Sequence, residues 1–371
     1  MTPEWGAGGG SKRAAHPYHM HEAILRQPEL IGGLLESERT QIERAADAAA
    51  ARQRLVLAGI GSSYHAAQAG EFFLRHLSAG RCAALVAQSF ELVNYPFALG
   101  VDDALIAVSH RGWKNYSVQA VKAARASGAL TVAISGQDAG EGIRAAEFVL
   151  PTSEQEVSFA HTKSYTTALA VLALLAIRIA DRRGLLANAA AARAALTAVP
   201  EQMREAMACE SSCREVARAI ARRERWVFAG AGPNWVTACE GALKVKETSY
   251  IASEGFETEQ FLHGPLAEMD GRAALVGLMT GGPSDERLRS LLRAAGELGV
   301  LRVVVAARGA GEAPAEHRLE VPAAPEWLSP LVHVVPVQLL SYYVAVERGC
   351  NPDTGREDQP AHARAREHFK L

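Results

Sequence analysis

The chain has 371 residues, of which 49% are hydrophobic and 22% charged; this composition is typical of globular proteins and excludes wholesale disorder. The 39 Lys and Arg residues against 41 Asp and Glu residues give a formal net charge of -2, which argues against nucleic-acid binding through a broad basic surface. No apolar run reaches the roughly 18 residues that predict a membrane span, and the longest one, 168–180, is predicted to be a buried helix.

The N-terminal residues 1–20 are predicted to form a flexible tail, because they are rich in glycine and contain no apolar core of the signal-peptide type. The cluster of His16, His19 and His21 has two interpretations: a metal site or, as we prefer, a polar start of the first helix. The five cysteines are scattered and contain no C-x-x-C pair. They predict neither a disulfide framework nor a structural zinc site, and they indicate a reducing cytoplasm.

An internal repeat organises the rest of the chain. The strand-like runs 54–61 and 225–232 both end in glycines, and a helix-like segment follows each. An offset of 171 residues takes Gly59 to Gly230. The same offset pairs four more small residues: Ala58 with Ala229, Gly61 with Gly232, Ala67 with Ala238 and Gly70 with Gly241. One offset that fits all of these predicts two copies of one α/β unit.

Short apolar strands alternate with helix-like segments in both copies, which predicts parallel sheets covered by helices on both faces. After the first strand of each copy, the predicted strands are 105–108, 130–134, 148–150, 274–279 and 301–306. The predicted fold is therefore α/β, with two tandem domains of the doubly wound, flavodoxin-like type. The expected limits are 21–200 for the first domain, 201–350 for the second and 351–371 for a polar C-terminal extension, with a linker near Thr197–Cys213.

Two loops that follow strands of the first copy carry groups suited to an oxyanion. Gly61, Ser62 and Ser63 combine a glycine turn with two hydroxyls at a helix start, where free N–H groups and the helix dipole favour phosphate. A dinucleotide site is disfavoured, because Tyr64 stands where the G-x-G-x-x-G pattern needs its third glycine. The second loop offers Ser109, His110, Arg111 and Lys114, and a solvated surface loop is its alternative interpretation.

A third loop, 156–164, opens a long apolar helix and contains Phe159, His161 and Thr162. Thr162 is a candidate cap for that helix whether or not a ligand binds there. For His161, a ligand role and a packing role both stay open.

The second copy holds the residues best suited to proton transfer. Glu240 and Glu247 are seven residues apart, so two helical turns place both carboxylates on one face. Lys244 is predicted to form an ordinary surface pair with Glu240. His263 follows in a turn. A carboxylate base and a histidine suit proton transfer next to a carbonyl group, although a charged helix surface would show the same pattern.

These motifs resemble those of the double sugar-isomerase (SIS) domain family. Residues 61–65 are similar to its G-T-S-Y motif, residues 240–247 are nearly identical to its E-G-A-L-K-L-K-E, and H-G-P-L at 263–266 and D-Q-P at 358–360 are further signatures. The resemblance covers nearly the whole chain after the tail. It is greatest to the isomerase half of glucosamine-6-phosphate synthases, with aminosugar-phosphate deaminases and fructosamine-phosphate deglycases as related members.

The resemblance implies a role for each candidate residue. Glu247 would be the base that moves a proton between C1 and C2 of a hexose phosphate, and Glu240 would support it. His263 would assist ring opening in the active site of the neighbouring subunit of a homodimer. No metal and no cofactor are implied. Together with the loops above, the predicted substrate- and phosphate-binding residues are Gly61, Ser62, Ser63, Ser109, His110, Arg111, Lys114, Phe159, His161 and Thr162.

The sequence departs from the family pattern at several positions. The family's phosphate loop S-Q-S-G-E-T reads S-H-R-G-W-K at 109–114, which predicts an extra anionic group on the ligand or a differently placed phosphate. Phe159 and His161 replace smaller residues and predict a bulkier pocket. Ala365 stands where the family has a C-terminal lysine, so no Schiff base through that lysine is expected. No cysteine precedes Cys82, so we expect no glutaminase activity and a separate source of any ammonia used.

The sequence therefore predicts a cytoplasmic, homodimeric enzyme that isomerises an amino- or amine-substituted sugar phosphate with loss or exchange of nitrogen. A simple phosphosugar isomerase is a close alternative. A non-catalytic sugar-phosphate sensor is another, which we disfavour because the N-terminal tail is too short for a DNA-binding domain. An oxidoreductase is the third alternative.

Overall fold

The structure, a computed structural model, describes residues 13–37, 39–95 and 97–369, so most of the predicted flexible tail lies outside the described residues. The chain forms two compact units, each built around one sheet. The first unit comprises residues 27–155 and 163–200. The second unit comprises, of the described residues, 13–26, 156–162 and 201–369.

The sheet of the first unit has five parallel strands in the order β2-β1-β3-β4-β5. The strands are β1 (Arg54–Gly59), β2 (Ala84–Gln88), β3 (Asp103–Val108), β4 (Leu130–Ser135) and β5 (Phe148–Pro151). The helices are α2 (Arg39–Ala50), α3 (Ser62–Leu77), α4 (Ser89–Asn94), α5 (Asn115–Ala126) and α6 (Lys163–Arg182). The three central strands are buried almost throughout, because helices exclude water from both faces of a parallel sheet.

The sheet of the second unit repeats this topology, in the order β10-β9-β8-β6-β7. Its strands are β6 (Arg225–Gly230), β7 (Ala252–Glu257), β8 (Ala273–Met279), β9 (Leu301–Ala307) and β10 (His317–Val321). Its helices are α8 (Glu210–Ile220), α9 (Pro233–Ser249), α10 (Thr258–Leu262), α11 (Asp285–Glu297), α12 (Ser329–Glu347) and α13 (Pro360–Glu367). Helices α1 (His19–Ser37) and α7 (Ala189–Met207) contain residues of both units. The predicted α/β, flavodoxin-like fold is confirmed.

Three strands escaped the sequence analysis: β2, β7 and β10. Each lies at the edge of its sheet and is partly exposed. Strands β7 and β10 contain charged residues and so lack the continuous apolar run of a central strand, whereas β2 contains such a run at 84–87 and was missed in spite of it. In β7 the glycine at position 255 is also needed sterically, because a Cβ there would lie 2.4 Å from the Cα of Cys239. An edge strand that combines charged residues with a glycine does not look like a strand in the sequence.

The predicted repeat reappears in the geometry of the two strand–helix turns. Gly61 before α3 and Gly232 before α9 adopt nearly the same left-handed conformation, with φ of 61° and 55°. Gly59 and Gly230 lie so close to the following helix that an added Cβ would be 2.4 Å from the backbone of the residue four positions on. The offset found in the sequence therefore corresponds to two copies of one turn.

We expect Gly59→Ala to destabilise the protein by at least the ~1–3 kcal/mol typical of an overpacked site, because the clash is with backbone and cannot be relieved by a rotamer change. Gly33→Ala in α1 is the matched control: an added Cβ there meets nothing within 4 Å. At that helical position alanine should stabilise by roughly 0.5–1 kcal/mol. Urea unfolding of both variants checks this, and equal effects of the two would contradict it.

Within the part of the chain that the structure describes, two helices are long and apolar enough to cross a membrane by length and composition, over Lys163–Arg182 and Glu326–Glu347. In these segments 83% and 94% of the apolar window is buried inside the protein. The predicted buried helix 168–180 is part of α6, and α12 lies beside α9 as α6 lies beside α3. Both are therefore core helices of their units.

The predicted linker region contains the passage between the two units, but it is helical and not a loop. Residues 197–213 are helical, in α7 and α8, apart from a turn at Ala208 and Cys209. The passage from the first unit to the second falls inside α7, between Pro200 and Glu201. Polar residues on the exposed faces of amphipathic helices gave this stretch the composition of a linker.

The C-terminal extension is an integral part of the second unit. The Asp353 carboxylate is buried and accepts hydrogen bonds from the backbone N–H groups of His19 and Met20, at 2.8 and 3.0 Å. The Asp353 carbonyl accepts the N–H of Phe159 at 3.1 Å. These bonds explain why the compact units differ from the predicted domain limits, with 21–26 and 156–162 belonging to the second unit.

Candidate active site

The predicted phosphate-binding residues of the first unit lie at the carboxyl edge of its sheet, after the adjacent strands β1 and β3. Ser62 and Ser63 are half-buried in the first turn of α3, where backbone N–H groups have no helical partner. Ser109 is buried, and its hydroxyl makes no hydrogen bond with the described residues. A buried hydroxyl without a partner next to a helix start is suited to receive an oxyanion.

His110 is buried beside this edge, and its Nδ1 lies 3.4 Å from the hydroxyl of Thr152. Burial, with smaller contributions from the charges of Lys163 and Arg111, lowers the pKa of His110 to about 3. The imidazole is therefore neutral at physiological pH, and it can offer a ligand a hydrogen bond but no positive charge.

We expect His110 to show no protonation between pH 5 and 8 in a ¹H–¹⁵N NMR titration of the ring nitrogens. The folded-state pKa is depressed, so the unfolded chain takes up a proton below about 6.5 that the folded chain refuses. This difference in proton uptake does not affect the free energy of unfolding above that pH. It lowers the free energy of unfolding as the pH falls from about 6.5 towards 3. A titration midpoint near 6.5 in the folded protein would contradict this.

The cations of the second predicted loop surround the start of α5. The guanidinium of Arg111 lies 5.8 Å from the ring centre of Trp113, and Arg111 is half-buried. Lys114 is the N-cap residue of α5 and is also half-buried. Gly112 between them has a φ of 70° and packs against Ile143, so the loop has a defined conformation.

Residues 156–162 of the third predicted loop belong to the second unit. The N–H of Thr162 donates to both oxygens of the buried Glu156 carboxylate, at 2.9 and 2.8 Å, and its hydroxyl donates at 3.2 Å. Because Glu156 accepts these hydrogen bonds, the structure favours a structural role for Thr162 over a role in binding a ligand. The ring of Phe159 lies against Gly355 and beneath the guanidinium of Arg366, 4.8 Å away. His161 is half-buried.

The carboxylates of α9 share a buried lysine. Lys244 and Glu240 are fully buried, whereas the side chain of Glu247 is 21% exposed. The Lys244 Nζ lies 2.5 Å from Glu247 Oε2 and 3.3 Å from Glu240 Oε1. The predicted surface pair is therefore wrong: Glu240 and Lys244 lie on a buried part of α9, a helix that packs against α12, β6 and β7.

Opposing effects act on the pKa of Lys244. Burial lowers this pKa, but the charges of Glu240 and Glu247 outweigh burial and raise it above the ordinary lysine value. Lys244 is therefore an ammonium ion at neutral pH, and it compensates the buried carboxylate of Glu240.

Glu247 opens into a pocket of ≈ 490 Å³ in the second unit. Of its lining residues, only Phe159 and Glu247 were among the predicted site residues. The others include Arg356 and His362, whose side chains lie 3.1 Å apart. The only signal in the sequence was the density of basic residues around the D-Q-P motif. The complete lining is Phe159, Lys246, Glu247, Tyr250, Ile251, Ala252, Gly355, Arg356 and His362.

His263 lies elsewhere in the second unit. Helix α9 begins beyond the carboxyl end of β6 and returns, so Glu247 in its last turn is near the amino edge of the sheet. His263 follows β7 and α10 at the carboxyl edge. It is 69% exposed and its Nε2 lies 2.8 Å from Glu259 Oε1. Within one chain, the structure does not bring His263 and Glu247 together.

The N-terminal histidines have partners in the second unit. His16 Nδ1 lies 2.6 Å from the hydroxyl of Tyr342, and His21 Nε2 lies 2.5 Å from Glu210 Oε1. Among the described residues, no group of three or more His, Cys, Asp or Glu side chains is arranged to hold a metal ion. These contacts favour the structural interpretation of the histidine cluster.

The SIS domain family matches residues 49–178 and 219–348, one match for each sheet. Among curated proteins, the chain is similar to glutamine–fructose-6-phosphate aminotransferase (isomerizing) of Thermococcus kodakarensis, with 31% identity over 351 residues, covering 93% of this chain and 58% of that protein. The same enzyme of Pyrococcus horikoshii is 29% identical over 348 residues, with the same coverage. The chain thus spans less than two thirds of the length of these relatives.

Solved structures share the fold. The C-terminal domain of glucosamine-fructose-6-phosphate aminotransferase from Francisella tularensis superimposes with a TM-score of 0.86 at 21% identity, covering 91% of this chain and 98% of that one. Glucosamine-6-phosphate deaminase from Thermotoga maritima gives 0.73 at 19% identity, covering 91% and 97%. With the repeated sheet topology and two family matches that together cover more than half of the residues, the chain belongs to the SIS domain family and carries two SIS domains.

Proposed function

We propose that this protein is a cytoplasmic enzyme that isomerises an amino- or amine-substituted sugar phosphate with loss or exchange of the nitrogen, as deaminases and deglycases do. The observation that carries the proposal is the environment of Glu247. Its carboxylate is partly exposed in a pocket, and its partner Lys244 is fully buried on the protein side. The exposed part of the carboxylate is accessible to a ligand, and the ion pair with Lys244 fixes the orientation of the carboxylate.

The chemistry needs one base that serves two adjacent carbons. Glu247 takes a proton from the carbon next to the carbonyl or iminium group, and the electrons of that C–H bond form the C=C bond of an enediol or enolamine. The carbonyl oxygen or iminium nitrogen accepts the displaced electrons and is protonated or remains as the amine. Glu247 then returns the proton to the neighbouring carbon, while the hydroxyl or amino group on the first carbon forms a new C=O or C=N bond. Where a C=N bond forms, water adds to its carbon and the C–N bond breaks, which leaves a carbonyl group and releases the nitrogen as ammonia or amine. The 2.5 Å contact with Lys244 limits the directions that the carboxylate can take.

The phosphate part of the proposal is supported by the carboxyl edge of the first sheet. The unpartnered hydroxyl of Ser109 and the glycine turn at 61–63 provide donors of the kind that bind phosphate. The relatives are, by their names, aminotransferases that act on fructose 6-phosphate. Their names indicate the same class of ligand.

We also propose that the enzyme is a homodimer in which His263 serves the active site of the neighbouring subunit. The exposure of His263 and its place at the sheet edge opposite Glu247 support this arrangement. Light scattering should give twice the 39.6 kDa mass of the chain. A monomer at working concentration would contradict it.

Proton NMR in D₂O tests the reaction directly. The substrates are glucosamine 6-phosphate, fructose 6-phosphate with and without ammonia, and fructosamine 6-phosphate. Deuterium at C1 or C2 together with released ammonia or amine would support nitrogen loss, and aminosugar formed from fructose 6-phosphate and free ammonia would support nitrogen exchange without glutamine hydrolysis.

Two alternatives give different outcomes in the same experiment. A simple phosphosugar isomerase would introduce deuterium into fructose 6-phosphate without any nitrogen chemistry. A sensor would bind one of these sugars without exchange, and its affinity would not change in Glu247→Gln. Either result would overturn the deaminase or deglycase proposal.

A further inference from the structure

The second unit contains another pocket, of ≈ 610 Å³, beside the C-terminal residues. Its charged groups are the four guanidinium groups of Arg218, Arg222, Arg348 and Arg356 against the carboxylates of Glu347 and Asp358. The remaining lining is Ala221, Ser249, Tyr250, Gly349, Cys350, Asn351 and Gln359. The pocket therefore has an excess of positive charge, although the chain as a whole has a formal net charge of -2.

The four arginines differ in the number of hydrogen bonds and ion pairs that they make within the described residues. Arg218 pairs with Glu347 at 3.3 Å, and Arg348 donates to the Ala221 carbonyl at 2.9 Å. In contrast, Arg222 is exposed and makes no hydrogen bond or ion pair with the described residues.

Arg356 is held in place with part of its bonding capacity unused. Its guanidinium lies 3.9 Å from the ring centre of Tyr250, and its Nη1 is 3.1 Å from His362 Nε2. Its Nε is buried and has no hydrogen-bond partner among the described residues. A buried donor without a partner costs free energy unless a ligand or water satisfies it.

This pocket is distinct from the one that contains Glu247. The two share Tyr250 and Arg356 in their linings and no other residue. The stacked Arg356–Tyr250 pair therefore borders both. A ligand in the arginine-lined pocket can contact Arg356 without reaching the carboxylate of Glu247.

We propose that the arginine-lined pocket binds a phosphate-bearing ligand, with the phosphate held by Arg222 and Arg356. Guanidinium groups pair with phosphate oxygens through two parallel hydrogen bonds. The Arg356 Nε is a donor of this kind, and no described residue accepts its hydrogen bond. The volume is within the roughly 300–1,000 Å³ of ordinary small-molecule sites. Inorganic phosphate and a phosphate monoester share this chemistry. The proposal does not rest on the reaction proposed at Glu247, although Arg356 borders both pockets.

Isothermal titration of the full chain tests the site with inorganic phosphate and with glycerol 3-phosphate, a monoester that has no carbonyl group to isomerise. Arg222→Gln should weaken binding of both by about tenfold or more, the usual effect of losing a charge-assisted hydrogen bond. Arg214→Gln is the matched control, since Arg214 is exposed on α8 outside the pocket. It should change the affinity less than twofold. Whichever probe binds more tightly identifies the form of the ligand.

Two further variants separate this site from the proposed active site. Glu247→Gln should keep the affinity for glycerol 3-phosphate, even though it is expected to lose turnover. Equal effects of Arg222→Gln and Arg214→Gln would overturn the proposal. So would a loss of all binding in Ser109→Ala, because the phosphate would then be bound at the first sheet and not in this pocket.

Discussion

Glu247→Gln is expected to reduce deuterium exchange at C1 and C2 by at least about 100-fold, since a positioned acid or base typically contributes 10²–10⁴ in rate. The amide has nearly the same shape but cannot accept the proton. The fold should tolerate the change, because Glu240 remains 3.3 Å from Lys244 and still compensates the buried ammonium. Exchange rates from NMR and the urea midpoint, measured on the same preparation, check both expectations.

Glu254→Gln provides the control for this experiment. Glu254 is exposed on the edge strand β7 and does not line the Glu247 pocket. The change removes the same charge from the same unit, and exchange should stay within a factor of two. Exchange that persists in Glu247→Gln would remove Glu247 as the base. Loss of exchange together with a large fall in the urea midpoint would show that the variant lost its fold.

Lys244→Met is expected to destabilise the protein by about 3–5 kcal/mol, the usual cost of leaving one partner of a buried ion pair unpaired. Methionine fills a similar volume, so the cost falls on the carboxylate of Glu240, which is fully buried. Urea unfolding measures the effect. Lys246→Met is the control, because Lys246 is two positions along the same helix but exposed. It should change the free energy of unfolding by less than about 0.5 kcal/mol.

The double variant Lys244→Met/Glu240→Leu tests the cause. It removes both buried charges, so it should recover a large part of the stability lost in Lys244→Met. No recovery would mean that the lysine acts through packing. The raised pKa of Lys244 also sets the pH range in which its ion pair stabilises the protein. This stabilisation is complete below the unfolded-state pKa of about 10.4, and it is lost as the pH rises through the higher pKa of the folded state.

Central strands and strand–helix turns could be predicted from the sequence because their causes are local. A strand buried on both faces needs a continuous apolar run, as at 105–108, and a turn that approaches a helix backbone needs a glycine, as at Gly59. The 171-residue offset repeats these local requirements, so two copies of one fold followed from it. The edge strands β7 and β10 lacked this signature because exposed positions in each are occupied by charged residues.

The spacing of Glu240 and Glu247 also determined, from the sequence by itself, that both carboxylates share one helix face. Only the tertiary structure decided which way that face points. The packing of α9 in the second unit buries Glu240 and Lys244, so Lys244 is a buried ion-pair partner, and it leaves Glu247 as the accessible carboxylate. The same holds for Arg356 and His362, which the folding of the C-terminal residues places in the Glu247 pocket. Burial and long-range contacts depend on what packs against a helix, and no local pattern contains that information.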